Sequence, residues 1–173
     1  MASITAIAFT LTALVVGHSV RGRPIELVHV AGPGPRVLVV GAIHGDETAG
    51  IAVVRALEHA HPHADLWLVP SLNPDGVRSG TRQNAHGVDL NRNFGAMWRR
   101  GGSPGSTYYS GARPFSEPEA RVARELILRV RPAATVWFHQ HMDVVWAYGR
   151  STAAGRRYAR VAGLPFLHRP WLA

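Results

Sequence analysis

The chain has 173 residues, which is the length of one ordinary domain. Its hydrophobic fraction of 46% and charged fraction of 17% are typical of a globular protein and exclude a disordered one. The lack of cysteine excludes disulfides and thiolate metal ligands, so any metal has to be held by histidine and carboxylate side chains.

The net charge of +8 comes from 19 arginines without a single lysine. A strongly basic chain can bind an anionic polymer such as nucleic acid. Here, however, the arginines are scattered along the chain and no nucleic-acid motif accompanies them. The Ala-, Gly- and Pro-rich composition favours a compositional origin of the charge, and we expect no nucleic-acid partner.

The chain begins with an apolar run, residues 4–16, which is too short to span a bilayer. It lacks the preceding basic residues and the following small-residue cleavage site of a signal peptide. We interpret residues 1–14 as a signal remnant or leader and residues 15–173 as one domain, with a first strand at 13–16. The sequence indicates no membrane span and leaves the compartment open between the bacterial cytoplasm, the periplasm and secretion.

Strands and helices alternate in the rest of the chain. Apolar runs predict strands at 23–30, 36–43, 66–70 and 134–138, and helical spacing predicts helices at 49–59 and 116–130. This alternation favours an α/β sandwich with a largely parallel central sheet. Ligands of such folds bind at the carboxyl ends of the strands, and both His44 and His139 follow predicted strands.

The start of the second helix carries a capping pattern. Ser116 is predicted as its N-cap, with Pro118 just inside the helix and Glu119 as the capping-box partner.

His44 and Glu47 form the first candidate pair for metal binding. Their i, i+3 spacing at a junction of strand and helix places both side chains on one side of a turn. Zinc accepts an imidazole and a carboxylate at about 2.0–2.2 Å. The pair alone is a weak signal, because Glu47 can also simply favour a helix N-terminus.

His139 can supply the third ligand of a hydrolytic zinc site, in which three protein ligands leave one position for water. His141 is two residues further on an extended stretch, so both rings can face the same way. One of them is then the ligand, and the other contacts the ligand shell or the substrate. The alternative is a hydrogen-bonded structural histidine at a strand end.

Residues 80–94 bring together Arg82, Asn91 and Arg92. A guanidinium group can grip a carboxylate with two hydrogen bonds, and an arginine that faces a metal can stabilise an oxyanion. The alternative is that Arg82 and Arg92 are solvated and that Asp89 is their ion-pair partner.

The order of five segments resembles the zinc carboxypeptidase superfamily, and specifically its small bacterial branch of murein-peptide amidases and γ-D-glutamyl-diaminopimelate peptidases. The opening residues 17–25 are also similar to this branch, so the resemblance covers residues 15–173. The five segments are His44-x-x-Glu47, residues 73–76, Arg82 with residues 87–94, residues 116–119, and His139-Gln140.

The resemblance implies a three-layer α/β/α sandwich with a mostly parallel mixed central sheet. It implies one zinc ion, with His44, Glu47 and His139 as its ligands. Arg82 matches the arginine that polarises the scissile carbonyl, and Asn91 and Arg92 match the pair that binds the carboxylate of the terminal residue. The expected substrate is a peptide with a free carboxylate, in a murein peptide of the cell wall, and His141 is a further candidate for substrate contact.

The sequence departs from the family in one respect. The family's general base is a glutamate downstream of the third ligand, whereas the 34 residues after His139 contain one acidic residue, Asp143, and no glutamate. We therefore expect a C-terminally truncated chain that is catalytically inert or nearly so. Two other functions stay open: a non-catalytic fragment that binds zinc and carboxylate, and a metal-dependent deacylase of the aspartoacylase and succinylglutamate desuccinylase type.

Overall fold

The structure is a computed structural model that describes residues 12–60 and 62–168. Its strands are β1 (Thr12–His18), β2 (Pro24–Val30), β3 (Arg36–Val40), β4 (Asp65–Val69), β5 (Ala134–Trp137), β6 (Val145–Ala147) and β7 (Phe166–His168). Its α-helices are α1 (Ala49–Leu57), α2 (Pro74–Ser79), α3 (Pro118–Val130) and α4 (Thr152–Ala162). Short 3-10 turns occupy Leu90–Arg92 and Gly149–Ser151.

Five strands form the central sheet in the order β1-β2-β4-β3-β5. β3 pairs in parallel with both β4 and β5, whereas β2 is antiparallel to β1 and to β4. Four strands therefore point the same way and β2 opposes them, which confirms the prediction of a mostly parallel mixed sheet. β6 and β7 form a separate parallel pair against which α4 packs.

The two faces of the central sheet carry separate apolar clusters. On β3, Leu38 packs in the cluster that contains Leu126 of α3, while its neighbour Val39 packs in the cluster that contains Val54 of α1. Successive side chains of a strand point to opposite faces. The helices α1 and α3 therefore cover opposite faces of the sheet, and the predicted three-layer sandwich is confirmed.

The predicted elements recur with shifted ends. The strand predicted at 36–43 ends at Val40, because Gly41 leaves the sheet and begins the loop that carries His44. The turn predicted at 73–76 is the start of α2, where the Asn73 side chain accepts a hydrogen bond from the Gly76 N–H at 2.9 Å. β6, α4 and β7 were not predicted from the sequence.

The position of Pro118 at the start of α3 is confirmed, but the predicted N-cap Ser116 and capping-box partner Glu119 are wrong. The helix begins at Pro118, so Glu117 occupies the N-cap position, and no side chain caps it. Glu119 is fully buried and satisfies its carboxylate elsewhere, with the Val20 N–H at 3.1 Å and the Asn84 amide at 3.0 Å. A buried carboxylate needs such donors, and these two tie the start of α3 to the β1–β2 turn and to the loop after α2.

The predicted leader falls mainly on residues 1–11, which lie outside the described residues, and it stays a prediction. The described chain begins with β1 at Thr12. In the part of the chain that the structure describes, no helix combines the length and apolar character needed to cross a membrane.

The loop after β3 is held by a close approach of backbones at Gly41. A Cβ atom at Gly41 would lie 2.5 Å from the Pro70 carbonyl oxygen and 2.8 Å from the Gly50 carbonyl oxygen. These are backbone atoms at the end of β4 and in α1, so they cannot move aside as a flexible side chain would. The contact therefore fixes the path along which the chain reaches His44.

We expect the substitution Gly41→Ala to lower the free energy of unfolding by about 1–3 kcal/mol, as overpacking of a tight site typically does. Denaturant unfolding measures this change. The matched control is Gly101→Ala, because a Cβ atom at Gly101 meets no atom within 4 Å. Equal stability of the two variants would contradict the role of the close contact.

Candidate metal centre

His44 lies in the loop at the carboxyl end of β3 and is almost fully buried, with 1% of its surface exposed. Its Nε2 atom lies 3.0 Å from Oδ1 of Asp89, and its Nδ1 atom lies 2.9 Å from Oε1 of Glu47. The Asp89 carboxylate beside Nε2 stabilises the His44 tautomer that carries its proton on Nε2. The Nδ1 lone pair is therefore free for a metal ion.

Glu47 and His139 complete a cluster with His44. The second carboxylate oxygen of Glu47 lies 2.9 Å from Nδ1 of His139, and the two histidine Nδ1 atoms are 3.2 Å apart. The candidate ligand atoms of the three residues all lie within 4.8 Å of one another. No other such group of three occurs among the residues that the structure describes.

This donor set fits zinc. Two ligands at zinc–nitrogen distances of about 2.0–2.1 Å in a tetrahedral shell are roughly 3.3 Å apart, which is close to the observed separation of the two Nδ1 atoms. Two imidazoles and one carboxylate also match the protein ligands of known catalytic zinc sites, which keep the fourth position open. His44, Glu47 and His139 would therefore hold the ion.

Asp89 was predicted from the sequence only as an ion-pair partner of Arg82 and Arg92. Its contact with His44 was not predicted. It is fully buried and contacts both His44 and Arg82, whose Nη2 atom donates to its Oδ2 at 3.0 Å. Burial raises the pKa of Asp89, but the hydrogen bond to His44 and the charge of Arg82 outweigh this effect and lower it. The carboxylate therefore stays charged beside the histidine that it orients.

The electrostatics of the cluster keep its ligands in the forms that bind metal. Burial raises the pKa of Glu47, but hydrogen bonds from His44 and from the backbone N–H of Gln140 lower it below its usual value. Partial burial lowers the pKa of His139, against the opposing effect of Glu47. A charged carboxylate beside a neutral imidazole is the combination that a divalent cation requires.

Arg82 lies at the metal cluster, where its Nη1 atom donates to Oε1 of Glu47 at 3.1 Å. Asn91 and Arg92 are exposed, and the Asn91 backbone N–H donates to Asp89 at 2.9 Å. The guanidinium carbons of Arg82 and Arg92 lie 5.5 and 5.4 Å from the centre of the same aromatic ring, that of Tyr108. The structure thus links the three predicted residues through Asp89 and Tyr108.

The segment after β5 places His139 in the cluster and His141 outside it. The backbone N–H of Gln140 donates to Oε2 of Glu47 at 3.0 Å, and its side-chain oxygen accepts from the Ala49 N–H at 2.7 Å. His141 and Asp143 are both exposed. Gln140 therefore bridges the end of β5 and the start of α1, and so holds His139 against Glu47.

Comparison with known proteins identifies the family of the chain. The zinc carboxypeptidase family matches residues 5–164. Murein peptide amidase A of Escherichia coli is 34% identical over 151 residues, which cover 75% of this chain and 59% of the relative. The amidase of the same description from Vibrio campbellii is 33% identical over 156 residues, with 80% and 61% covered.

A solved structure supports the fold as well. The crystal structure of a murein-tripeptide amidase from Escherichia coli superposes with a TM-score of 0.76 at 30% sequence identity, and the match covers 94% of this chain and 75% of that one. The chain therefore belongs to the zinc carboxypeptidase family. It spans about three fifths of the length of the two curated relatives.

The position of the third ligand can be tested with two neighbouring histidines. We expect His139→Ala to remove most of the bound zinc, because two of the three ligands cannot hold the ion firmly. His141→Ala serves as the matched control and is expected to retain the zinc content of the parent. Metal analysis after dialysis measures both, and zinc loss from His141→Ala alone would contradict the assignment.

The role of Asp89 can be tested in the same way. We expect Asp89→Asn to weaken zinc binding by roughly 10–100-fold, as the loss of a ligand-orienting partner typically does. The control is Asp75→Asn, since Asp75 is also a buried aspartate but pairs with Arg23 at 2.6 Å, away from the cluster. Competition with a chelator measures the affinity, and an equal loss in both variants would point to general destabilisation instead.

Proposed function

We propose that this domain hydrolyses, in a zinc-dependent way, an amide bond next to a free carboxylate, and that its substrate is a murein peptide of the cell wall. One zinc ion is held by His44, Glu47 and His139. The observation that carries the proposal is this cluster, with the Asp89 carboxylate behind His44 and a guanidinium group beside it. The murein peptide amidases among the relatives support the substrate class.

Zinc, when bound, acidifies a water molecule and polarises a carbonyl group. Other residues of this chain position the proposed metal ligands. Asp89 keeps His44 in the tautomer that leaves Nδ1 free, and Gln140 donates its backbone N–H to Glu47. Both contacts fix their ligands before substrate arrives, which lowers the reorganisation that binding requires.

Arg82 is the candidate for the oxyanion of the reacting carbonyl, because it lies beside Glu47 and is only partly buried. Its ties to Glu47 and Asp89 fix the direction of the guanidinium group and leave part of it open to a ligand. In an active enzyme, a single donor of this kind is typically worth about 10²–10³-fold in turnover.

Arg92 is the candidate for the carboxylate of the substrate, with Asn91 beside it. It is exposed, and in the described part of the chain it forms no salt bridge with a carboxylate of the protein. Its guanidinium group is therefore available for a charge-assisted pair with two hydrogen bonds. His141 follows the third ligand by two residues and stays a further candidate for substrate contact.

The general base is the part of the reaction that these residues do not assign. Asp143 is the one acidic residue that follows His139 in the sequence, and it is exposed. A positioned acid or base typically contributes about 10²–10⁴-fold. The expectation that the 173-residue chain turns over peptide slowly, or not at all, stays a prediction.

Carboxylate recognition can be tested by binding, without reliance on turnover. The probe is γ-D-glutamyl-diaminopimelate, and the comparison ligand carries a carboxamide in place of the diaminopimelate carboxylate next to the amide bond. We expect the zinc-loaded chain to prefer the acid, and Arg92→Ala to lose roughly 10–100-fold in affinity for it, as for a hydrogen bond to a charged group. Calorimetry measures each affinity.

The matched control is Arg99→Ala, which removes another exposed arginine and should bind like the parent. Removal of zinc by a chelator should also weaken binding of the acid if the peptide contacts the metal centre. The proposal fails if the parent binds acid and carboxamide equally, or if Arg99→Ala and Arg92→Ala lose the same affinity.

A further inference from the structure

We propose that Tyr108 is a positioning residue for substrate recognition, which holds Arg92 at a fixed distance from Arg82 and the metal centre. The inference rests on the proposed function, because it assigns to Tyr108 the task of aiming a carboxylate-binding arginine.

The first observation is the contact of one ring with two arginines. The guanidinium carbons of Arg82 and Arg92 lie 5.5 and 5.4 Å from the Tyr108 ring centre. A cation over an aromatic face is attracted by the negative face of the ring, and arginine is the most frequent partner. Since both arginines bind one ring, their guanidinium carbons cannot be further apart than the sum of these two distances.

The second observation is that the two arginines differ in how else they are held. Arg82 donates to two carboxylates, those of Glu47 and Asp89, and is fixed without the ring. Within the described residues, the Arg92 side chain contacts only the Asn91 carbonyl oxygen, at a long 3.4 Å, besides the Tyr108 ring. The Tyr108 ring is therefore the main restraint on Arg92. Arg82, which Glu47 and Asp89 hold in place, contacts the same ring.

The third observation is that the loop around Tyr108 is fixed although Tyr108 itself is 60% exposed. The carbonyl oxygen of its neighbour Tyr109 accepts from the Asp89 N–H at 2.9 Å, and the Gly105 N–H donates to Gly87 at 3.0 Å. The Gln83 side chain adds a hydrogen bond to the Ser106 carbonyl oxygen at 3.1 Å. The loop is thus attached to the same segment that carries both arginines.

Tyr108 presents an exposed ring on a fixed loop, and this ring contacts both arginines. It is therefore suited to orient Arg92, the less restrained of the two. Without the ring, the long Arg92 side chain would sample many rotamers, and binding would have to restrict them. Tyr108 needs no contact with the peptide in this role. Its loss should weaken recognition of the carboxylate and leave the metal cluster intact.

The test uses the zinc-loaded 173-residue chain and the same pair of ligands, γ-D-glutamyl-diaminopimelate and its carboxamide. Tyr108→Leu removes the aromatic face and keeps an apolar side chain, while Tyr108→Phe keeps the face. We expect Tyr108→Leu to bind the acid roughly 2–5-fold more weakly, because the one exposed cation–π contact that orients Arg92 is lost. Affinity for the carboxamide and zinc content should stay as in the parent, and Tyr108→Phe should restore acid binding.

Two further variants test whether the effect is specific to Tyr108 and whether it acts through Arg92. Tyr158→Leu removes another exposed tyrosine, on α4, and should bind like the parent. If Tyr108 acts through Arg92, Tyr108→Leu should have little further effect in an Arg92→Ala background, because the two losses are then not additive.

The outcomes separate this inference from the proposed function. If the parent prefers the acid and Tyr108→Leu keeps the full preference, the positioning role is overturned while carboxylate recognition stands. An equal loss for acid and carboxamide, or a loss of zinc, would show a structural role instead and also overturn it. If the parent shows no preference for the acid, the proposed carboxylate recognition fails, and the role of Tyr108 fails with it.

Discussion

The buried carboxylate of Asp89 is the interaction on which the rest of the site depends. It accepts from His44, from Arg82 and from the backbone N–H of Asn91, at 2.9 to 3.2 Å. A fully buried carboxylate is costly unless such donors surround it, so the three elements that carry them are drawn to one point. One carboxylate thereby fixes His44, Arg82 and the start of the 3-10 turn that ends at Arg92.

The charge balance of the metal centre favours a bound cation. Glu47 and Asp89 are both charged and both nearly or fully buried, and within the described residues Arg82 is the one arginine that pairs with either of them. The histidines add positive charge only when they are protonated, and the pKa of His139 lies below its usual value. A divalent ion held by His44, Glu47 and His139 would compensate the excess negative charge.

The sequence predicted those features that depend on neighbours along the chain. The spacing of His44 and Glu47 was sufficient to propose a shared ion, and the buried run before His44 identified the strand that carries it. The adjacency of His139 could not be derived in this way, because it depends on β3 and β5 being paired, with Val40 opposite Trp137. The sequence placed both histidines at strand ends, and the family resemblance added the expectation that they bind one ion. The link from Asp89 to His44 was missed because nothing local shows that the loop after α2 folds back over the sheet edge.

The strands β6 and β7 were not predicted, because each has three residues, too few to show an alternating pattern.

The placement of the arginines follows from the same edge of the sheet. Parallel pairing of β3 with β4 and β5 brings the carboxyl ends of these strands together, so the loops that follow them share one surface. The segment from Arg82 to Arg92 lies on that surface, and two like charges within it repel each other unless something lies between them or compensates them. Asp89 compensates Arg82 from the buried side, and the Tyr108 ring attracts both guanidinium groups from the exposed side. The buried contact fixes Arg82 beside the metal cluster, whereas the exposed contact restrains Arg92, the residue proposed to bind the carboxylate of the substrate.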